Sequence, residues 1–420
     1  MNILKVQGGK ELEGRVKISG AKNSAVALLP ATLLCDESVN LLNVPDISDT
    51  VALFDILSYL GAKITNLGEE SYKIDVSNIE NKPITDEMSN KLRASYYFMG
   101  ALLGKYKKAV VSYPGGCSIG SRPIDLHLAA FKKLGVNISE DSGFITCKCD
   151  KIIGTNIDLD FPSVGATENI ILASVYADGI TKISNAAMEP EIVDLAKFLN
   201  KMGAKIEGAG TNIIKITGVE KLKDVSYSIM PDRIEAGTLL CAVAITGGKV
   251  KLNKVIPEHI NQILNKLEQT GCEIKIENKC VCLKAPKKIK AVDIKTMPYP
   301  GFPTDMQSVF ASILTIAKGN SVIVENIFEN RYKYVSELKR MGAKITVEGR
   351  IAVIKGCKKL SGATVESTDL RGGAALVVAG LVAKGTTTVN KIGYILRGYE
   401  GLDKKLNKLG AKITIKEEKE

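Results

Sequence analysis

A short phrase recurs six times along the 420-residue chain, and it constrains the fold more than any other feature of the sequence. In its clearest copy it reads Met202-Gly203-Ala204-Lys205-Ile206, and its glycine recurs about every 70 residues. A period of this length indicates a chain made of repeated supersecondary units that pack against each other. The glycines of the six copies are Gly61, Gly135, Gly203, Gly271, Gly342 and Gly410.

Each copy predicts a helix that ends at the glycine and two strands after it. Apolar residues in 192–199 have helical spacing and lead into Gly203, and a glycine there can take the left-handed conformation that closes a helix. In the fifth copy, Ile345 and Val347 alternate with polar residues before a polar turn at 348–350, which is typical of a hairpin. A strand and a helix lie upstream, so each unit is predicted as β-α-β-α-β-β.

One such unit cannot bury both its helices and its sheet, whereas three units can share an interior. The fold class is therefore predicted as α/β, with two domains of three units each. We predict one domain at 21–229 and a second made of 1–20 and 230–420, with the chain crossing between them near residues 20 and 230. The strand containing Val16 and Ile18 has no partner in its own unit, and we predict that it completes the sheet of the last unit.

The amino-acid composition limits the classes of molecule that this protein is predicted to bind. Hydrophobic residues make up 45% and charged residues 25% of the chain, which is typical of a soluble globular protein. With 57 basic and 46 acidic side chains the formal net charge is +11, which favours anionic partners. The lysines are spread along the whole chain and tryptophan is absent, so stacking surfaces for nucleic acid are scarce. We predict anionic small-molecule substrates and no nucleic acid.

The sequence contains no apolar run long enough to cross a bilayer and no apolar signal core at its start. We therefore predict a cytoplasmic protein that does not bind membranes. The nine cysteines are odd in number and scattered, and we interpret them as reduced thiols. The sequence leaves the oligomeric state open.

Basic residues recur where helices are predicted to begin. Cations at that position oppose the helix dipole, so their recurrence is explained either by exposure to solvent or by a bound anion. Arg122 and Arg397 lie at the same offset before the repeat glycine, where the second helix of a unit is predicted to start. We predict a cationic pocket between the two domains. Basic residues at predicted starts of the first helix are Lys22, Arg93, Arg233 and Arg371.

Two further segments stand out chemically. Asp305 follows Pro303 in a stiff turn that leads into a helix; it is either a helix cap or a carboxylate able to accept a proton from an attacking alcohol. Cys117 lies in a polar, glycine-rich loop at 113–123, close to Arg122. Such a setting favours a reactive thiol over a buried inert one.

The remaining cysteines and His259 are interpreted as structural. The pairs Cys147/Cys149 and Cys280/Cys282 each lie on one face of a strand, and we predict that they belong to the core. Metal-binding spacing is absent, so no metal and no cofactor is predicted. His127, on the helix after the loop, stays ambiguous.

The chain resembles the UDP-N-acetylglucosamine 1-carboxyvinyltransferase family of enolpyruvyl transferases along essentially its whole length. That family has two inside-out α/β barrel (prism) domains of three units each, in agreement with the repeat count. The segments that carry the resemblance are Gly20-Ala21-Lys22-Asn23, Leu92-Arg93-Ala94-Ser95, the loop 115–123, Ser163-Val164-Gly165-Ala166-Thr167, Glu189-Pro190-Glu191, Pro303-Thr304-Asp305-Met306-Gln307, Glu329-Asn330-Arg331, Asp369-Leu370-Arg371 and Arg397-Gly398-Tyr399-Glu400.

The resemblance implies transfer of the enolpyruvyl group of phosphoenolpyruvate to the 3′-hydroxyl of UDP-N-acetylglucosamine, with release of phosphate, in the first committed step of peptidoglycan synthesis. The active site would lie in the cleft between the domains. Cys117 would be the proton donor and the target of the covalent inhibitor fosfomycin, and Asp305 would take the sugar hydroxyl proton.

The resemblance also implies two sets of binding residues. Phosphoenolpyruvate would be bound through its phosphate by Lys22, Arg122 and Arg397. Its carboxylate would be bound by Arg371. The resemblance also places Lys22 and Arg397 among the catalytic residues. The nucleotide-sugar site would be lined by Asn23, Arg93, Arg122, Pro123, Ile124, Asp125, Leu126, Ser163, Val164, Gly165, Asp305 and Ile327.

Three other functions are weighed against this one. An enolpyruvyl transferase acting on shikimate phosphate shares the fold but lacks the cysteine loop. A catalytically idle paralogue would not need Cys117 and Asp305. An RNA-end-processing enzyme with similar repeats would need a nucleotidyl-accepting histidine, which the two histidines do not supply.

Overall fold

The computed structural model describes residues 2–85, 87–88, 96–113 and 124–417. The described chain folds into two compact bodies. We call them the split body, made of the described residues in 1–19 and 231–420, and the continuous body, made of those in 20–230. Within the described ranges no helix has the length and apolar character needed to cross a membrane.

The strands in chain order are β1 Asn2–Gln7, β2 Glu13–Lys17, β3 Ser38–Leu42, β4 Lys63–Gly68, β5 Ser71–Asp75, β6 Lys108–Ser112, β7 Asn137–Asp141, β8 Phe144–Lys148, β9 Asn156–Asp158, β10 Ile180–Ser184, β11 Lys205–Glu207, β12 Ile213–Thr217, β13 Val225–Ser228, β14 Lys249–Asn253, β15 Glu273–Glu277, β16 Cys280–Lys284, β17 Ile294–Lys295, β18 Asn320–Val324, β19 Lys344–Glu348, β20 Ile351–Lys355, β21 Thr364–Glu366, β22 Thr386–Asn390 and β23 Lys412–Glu417.

The α-helices in chain order are α1 Lys22–Ala31, α2 Ser48–Tyr59, α3 Tyr97–Tyr106, α4 Asp125–Lys133, α5 Val164–Ser174, α6 Pro190–Met202, α7 Arg233–Thr246, α8 Asn261–Gln269, α9 Gln307–Leu314, α10 Val335–Arg340, α11 Leu370–Gly380, α12 Gly393–Leu396 and α13 Leu402–Lys408. Short 3-10 helices cover Thr32–Leu34, Pro257–Ile260, Thr304–Met306 and Arg331–Tyr334.

The strands form one small sheet per sequence repeat, three in each body. The sheets of the split body are β15-β16-β14-β2, β17-β18-β20-β19 and β21-β22-β1-β23, and those of the continuous body are β13-β3-β5-β4, β6-β8-β7 and β11-β12-β10-β9. In the β6-β8-β7 sheet, Ile84 adds a parallel bridge to Val111. The predicted α/β fold of six repeated units is confirmed.

The repeat glycines end helices or helical turns as the sequence predicts. All six have a φ between +87° and +110°, the left-handed region in which a residue with a Cβ is strained. The predicted hairpin of the fifth unit is β19 and β20, which pair in antiparallel register from Lys344 opposite Lys355 to Glu348 opposite Ile351.

The strand at Val16 is placed differently from the prediction. β2 pairs in parallel with β14, in the fourth unit, and it is β1 that completes the sheet of the last unit between β22 and β23. The reason is that each chain crossing lies after a strand and before the helix that follows it. β2 therefore belongs to the split body, although α1, the next helix, belongs to the continuous body. In the same way, β13 precedes α7 of the split body but pairs with β3 in the continuous body.

Each body has apolar helices buried at its centre. In α7 every residue from Arg233 to Ile245 is buried, so the helix has no solvent face and is a core helix on all sides. In the continuous body, α3 and α5 cross closely enough that a Cβ on Gly100 would lie 2.6 Å from the carbonyl oxygen of Asn169. The helix starts, rather than the sheets, therefore carry the polar side chains considered below.

A buried polar cluster fixes the end of the split body's first segment. The backbone N–H of Ser19 donates to Glu235 Oε2 at 3.2 Å, and Lys405 Nζ donates to Ser19 Oγ at 2.6 Å and to Glu235 Oε1. Burial raises the pKa of Glu235 to about 7, although Lys405 acts in the opposite direction. The cluster ties β2, α7 and α13 together where the chain leaves this body.

This raised pKa predicts a pH dependence of stability. Between the ordinary carboxyl pKa and about 7 the folded chain holds a proton that the unfolded chain releases, so Glu235 makes stability fall as pH rises through this window. We compare the free energies of unfolding of the wild type and of Glu235→Gln, which has no carboxyl group at this position. The difference, wild type minus variant, should fall by about 1–3 kcal/mol between pH 4.5 and pH 7, because one pKa unit corresponds to about 1.4 kcal/mol. Urea unfolding of both proteins across this range measures it. Parallel pH profiles would show that Glu235 titrates normally.

Candidate active site

Asp305 lies in the middle of the 3-10 turn Thr304–Met306, directly ahead of α9. Pro303 is extended at φ −72° and ψ 134°, and the turn follows it at once. The Asp305 side chain is 26% exposed, so one side of it is accessible while the other faces the protein. The N-cap residue of α9 is Met306, and Asp305 is an acidic residue in the first turn of the 3-10 helix before it.

Two buried arginines hold the two carboxylate oxygens of Asp305. Arg331 Nη2 donates to Oδ1 at 3.1 Å, and Arg371 donates to Oδ2 from Nε at 3.2 Å and from Nη2 at 3.0 Å. The arginine side chains are only 2% and 4% exposed. Charge-assisted hydrogen bonds from rigid guanidinium groups fix the orientation of a carboxylate as well as its charge.

Arg371 is placed by its helix start and by an aromatic ring. Asp369 caps α11 by accepting from the backbone N–H of Arg371 and of Gly372, at 3.0 Å each. The guanidinium lies over the ring of Tyr399, 5.1 Å from its centroid, and the Tyr399 hydroxyl is 2.9 Å from Thr238 Oγ1. Burial opposes the charge on Arg371, but Asp305 and Tyr399 outweigh burial and raise its pKa above the ordinary value.

Both guanidinium groups keep hydrogen-bonding capacity beyond Asp305. Arg331 Nε and Arg371 Nη1 are buried and make no hydrogen bond within the described part of the chain. Because arginine carries five N–H donors and no acceptor, these atoms can bond only to an acceptor that shares the site. The site thus contains a fixed carboxylate beside two guanidinium groups, each of which has an N–H donor available for a further acceptor.

In the continuous body, Lys22 is the first residue of α1, as the sequence predicts. Its Nζ lies 3.4 Å from Oδ2 of Asp49, near the start of α2, and its side chain is 18% exposed against 2% for the aspartate. Asn23 follows in the first turn and is half-buried. The lysine therefore stands at a helix N-terminus with a buried carboxylate to balance part of its charge.

Besides Asn23, the described nucleotide-sugar residues predicted in the continuous body lie at two adjacent helix starts. Ile124 precedes α4, which opens with Asp125 and Leu126. Ser163 caps α5 by accepting from the backbone N–H of Ala166 at 3.3 Å, and Val164 and Gly165 follow it.

The two helix starts touch at Gly165. A Cβ on this glycine would lie 3.1 Å from His127 Cε1 and 3.2 Å from Tyr96 Cε2, so the first turn of α5 needs a residue without a side chain. Burial lowers the pKa of His127 to about 4, and its ring packs edge-on against Tyr96 at 5.3 Å. His127 is therefore neutral at pH 7 and supports the packing of α4 on α5.

Several predicted site residues lie outside the described part of the chain. These are Arg93, Cys117, Arg122 and Pro123. Ile327 lies in the described part, half-buried in the loop after β18.

Arg397 differs from its prediction, because it does not begin the second helix of the last unit. It is the residue that ends the short helix α12, and Gly401 then adopts φ +52° before α13 begins. Two glycines at 398 and 401 interrupt the helix that the offset predicted.

The cysteine pairs do not share one environment. Cys147 and Cys149 are buried, as the core prediction requires, and burial raises the pKa of Cys147 to about 12. Cys280 and Cys282 are only half-buried, so the core prediction is wrong for them. In β16 the buried side chains are those of Val281 and Leu283. The inward-facing set is therefore one residue away from the predicted one, because side chains alternate between the two faces of a strand. The described residues include no cluster of three or more metal-ligating side chains.

Two residues of the Asp305 region were not assigned from the sequence. Arg331 is part of the segment Glu329-Asn330-Arg331 that carries the family resemblance, but the sequence assigned no role to it. Glu325, at the end of β18, carried no signal, because a single acidic residue after a strand is typical of a surface position. In the structure it is fully buried and accepts hydrogen bonds from Thr304 and from the loop that contains Ile327.

Comparison with known proteins places this site in a family. The family model of EPSP synthase (3-phosphoshikimate 1-carboxyvinyltransferase) matches residues 6–406. A UDP-N-acetylglucosamine 1-carboxyvinyltransferase of Caldanaerobacter subterraneus subsp. tengcongensis is 52% identical over 416 residues, with 99% of each chain covered. One from Clostridium botulinum is 49% identical over 99% of this chain and 100% of its own.

Solved structures share the fold at low sequence identity. The enolpyruvyl transferase NikO from Streptomyces tendae superposes with a TM-score of 0.89 at 24% identity, over 99% of this chain and 98% of its own. An EPSP synthase from Acinetobacter baumannii superposes with a TM-score of 0.79 at 18% identity, over 99% and 100%. The inside-out α/β barrel of these proteins agrees with the six small sheets described above. The family model and the relatives at about 50% identity show that the chain is an enolpyruvyl transferase. It belongs to the family of UDP-N-acetylglucosamine 1-carboxyvinyltransferases.

Proposed function

We propose that this chain transfers the enolpyruvyl group of phosphoenolpyruvate to the 3′-hydroxyl of UDP-N-acetylglucosamine and releases phosphate, the first committed step of peptidoglycan synthesis. The observation that carries the proposal is Asp305, a partly exposed carboxylate whose orientation is fixed by Arg331 and Arg371. Relatives with this activity in their names are about half identical to the chain over nearly its whole length.

The reaction proceeds by addition and elimination. The 3′-oxygen of the sugar forms a bond to C2 of phosphoenolpyruvate while the hydroxyl proton passes to Asp305 and C3 takes a proton from Cys117. The tetrahedral intermediate then loses a proton from C3 to the Cys117 thiolate and phosphate from C2, so the C–O bond breaks and the P–O bond is kept. The proton held by Asp305 leaves with the phosphate, and both groups are regenerated. General acid–base catalysis of this kind needs both groups to be held close to the reacting atoms.

The cations have separate tasks in this scheme. Lys22, Arg122 and Arg397 bind the phosphate, and fixed positive charge there stabilises the leaving group without reorganisation. Arg371 binds the carboxylate of phosphoenolpyruvate. Its Nη1 donor and the Nε donor of Arg331 are not used by Asp305, and this supports a role for both guanidinium groups beside a second carboxylate.

The nucleotide sugar contacts both bodies in this proposal. In the continuous body its ligands include residues at the starts of α4 and α5, which pack closely where Gly165 meets His127. In the split body they are Asp305 and Ile327. The proposed ligands therefore come from both bodies, and excluding water from the bound substrates would protect the intermediate.

The alternative substrate is shikimate phosphate, because the matching family model carries the name of that activity. Two observations favour the nucleotide sugar. The relatives with about 50% identity are carboxyvinyltransferases of UDP-N-acetylglucosamine, whereas the EPSP synthase of known structure is 18% identical. The loop sequence around Cys117 also fits the sugar-nucleotide enzymes.

Release of phosphate from phosphoenolpyruvate tests the activity directly. We expect release that depends on UDP-N-acetylglucosamine and is not supported by shikimate 3-phosphate. Fully folded protein that releases no phosphate with the nucleotide sugar would reject the proposed function, and release with shikimate 3-phosphate alone would favour the alternative.

Cys117 should be the thiol that fosfomycin alkylates. The described cysteines of the continuous body are buried at Cys35, Cys147 and Cys149, and burial raises the pKa of each, which disfavours the reactive thiolate. Intact-mass measurement should show one adduct on the wild type and none on Cys117→Ser. An adduct of unchanged yield on the variant would remove Cys117 from this role.

A cytoplasmic location is proposed together with this function.

A further inference from the structure

We propose that Glu325 is a positioning residue that couples the seating of the nucleotide sugar at Ile327 to the orientation of Asp305. The inference rests on the proposed roles of Asp305 and Ile327 and adds to them a residue that touches neither substrate nor the reacting atoms. The coupling runs through the Glu325 carboxylate, which joins the turn that carries Asp305 to the loop that carries Ile327.

The carboxylate of Glu325 accepts hydrogen bonds from two separate segments. Thr304 Oγ1 lies 3.1 Å from each of its oxygens, and Thr304 is the residue immediately before Asp305. On the other side, Oε1 accepts from the backbone N–H of Ile327 at 2.9 Å and of Phe328 at 3.1 Å. One side chain thus sets the distance between the two segments.

The setting of Glu325 makes this connection stiff. The residue is 0% exposed, and no lysine or arginine of the described chain forms an ion pair with it. A buried carboxylate is unfavourable unless its acceptor sites are filled, so each of the three donors is needed to keep it in place. Its own backbone N–H donates to the carbonyl of Arg350 at 2.9 Å, which anchors it to the turn between β19 and β20.

The loop after Glu325 also contacts Arg331, one of the two arginines that bind Asp305. The Arg331 guanidinium lies 5.7 Å from the centroid of the Phe328 ring, and the same guanidinium holds Asp305 Oδ1. A shift of the loop therefore reaches Asp305 by two routes, through Thr304 and through Arg331. A ligand that orders Ile327 and Phe328 would fix the catalytic carboxylate at the same time.

Steady-state kinetics of the full-length chain test the coupling through two variants. Thr304→Val keeps the shape of the side chain but removes the hydroxyl, and it should lower kcat about 10- to 100-fold with little change in the KM for UDP-N-acetylglucosamine, because small displacements of a catalytic group have effects of this size. Glu325→Gln disturbs both sides, so it should lower kcat by a similar factor and also raise that KM several-fold.

The double variant and two controls separate positioning from stability. Combining Thr304→Val with Glu325→Gln should lower kcat no further than Glu325→Gln alone, since both remove one connection. Thr304→Ser keeps the hydroxyl and should retain activity. Thr315→Val removes another buried hydroxyl of the split body, one that donates to the carbonyl of Ser312 at 2.6 Å, and it should change the Tm without changing kcat.

The outcomes distinguish this inference from the proposed function. Wild-type protein without activity defeats the proposed function itself. An active wild type, with Thr304→Val and Glu325→Gln lowering only the Tm, overturns the positioning role while leaving the function intact. Additive losses of kcat in the double variant would also overturn it, because the two residues would then act independently.

Discussion

Asp305→Asn should lower kcat by about 10²- to 10⁴-fold while the chain still folds and still binds UDP-N-acetylglucosamine. Asparagine has nearly the same shape, but it cannot take up the proton of the sugar hydroxyl, and general acid–base catalysis is worth about this factor. It also loses one charge-assisted acceptor of the Arg331 and Arg371 bonds. Phosphate release measures kcat, and calorimetric titration measures binding of the nucleotide sugar.

The matched control is Asp293→Asn, in the same body. Asp293 is exposed and its Oδ1 accepts from the backbone N–H of Val322 at 2.8 Å, a bond that an asparagine oxygen can keep. Turnover of this variant should equal that of the wild type. If Asp305→Asn turned over at a wild-type rate, Asp305 would have no part in the proton transfer.

The second large effect is expected for Arg371→Met, which should reduce kcat/KM for phosphoenolpyruvate by at least about 10²-fold, or about 3 kcal/mol of transition-state stabilisation. The variant removes the proposed ligand of the substrate carboxylate and the two hydrogen bonds that hold Asp305 Oδ2. Lysine should rescue poorly, because a single ammonium group cannot reproduce a guanidinium that donates from Nε and Nη2 together. Initial rates at varied phosphoenolpyruvate concentration measure the effect.

Arg340→Met is the control for loss of an arginine in the same body. Arg340 is exposed and its Nη1 lies 3.8 Å from Glu337 Oε2, an ion pair that does not involve Asp305. This variant should keep kcat/KM for phosphoenolpyruvate within a few-fold of the wild type. Equal losses in the two variants would mean that Arg371 contributes only general positive charge.

A Tm comparison accompanies both arginine variants. Breaking a buried ion pair by removing one partner destabilises a protein by about 3–5 kcal/mol. Arg371 is 4% exposed, so its loss should lower the Tm, whereas loss of the exposed Arg340 should not. Kinetics are therefore compared at a temperature at which every variant is folded.

The arrangement around Asp305 explains how one carboxylate can be both fixed and reactive. The two guanidinium groups hold it from the buried side. Its side chain is 26% exposed, so under the proposed function a hydroxyl can reach it. The buried Glu325 then controls where the turn carrying Asp305 stands relative to the loop at Ile327.

Some of this follows from local sequence alone. The repeat glycines end helices, and α-helix and strand periodicities give the order β-α-β-α-β-β, because caps and side-chain periodicity depend only on neighbouring residues. The same reasoning finds Lys22 at the start of α1 and Asp305 in a stiff turn before α9. It fails at Arg397, where two glycines interrupt the expected helix.

Other features depend on contacts between distant parts of the chain. Asp305 meets Arg331 and Arg371, which lie 26 and 66 residues away, and Glu325 meets Thr304 across 21 residues. The exchange of β2 and β13 at the chain crossings likewise has no local signal. The sequence by itself determined the repeated unit and the residue types at each helix start, since these are set by short-range geometry. Only the tertiary structure decided which side chains meet around Asp305, because that depends on how separate units pack within the split body.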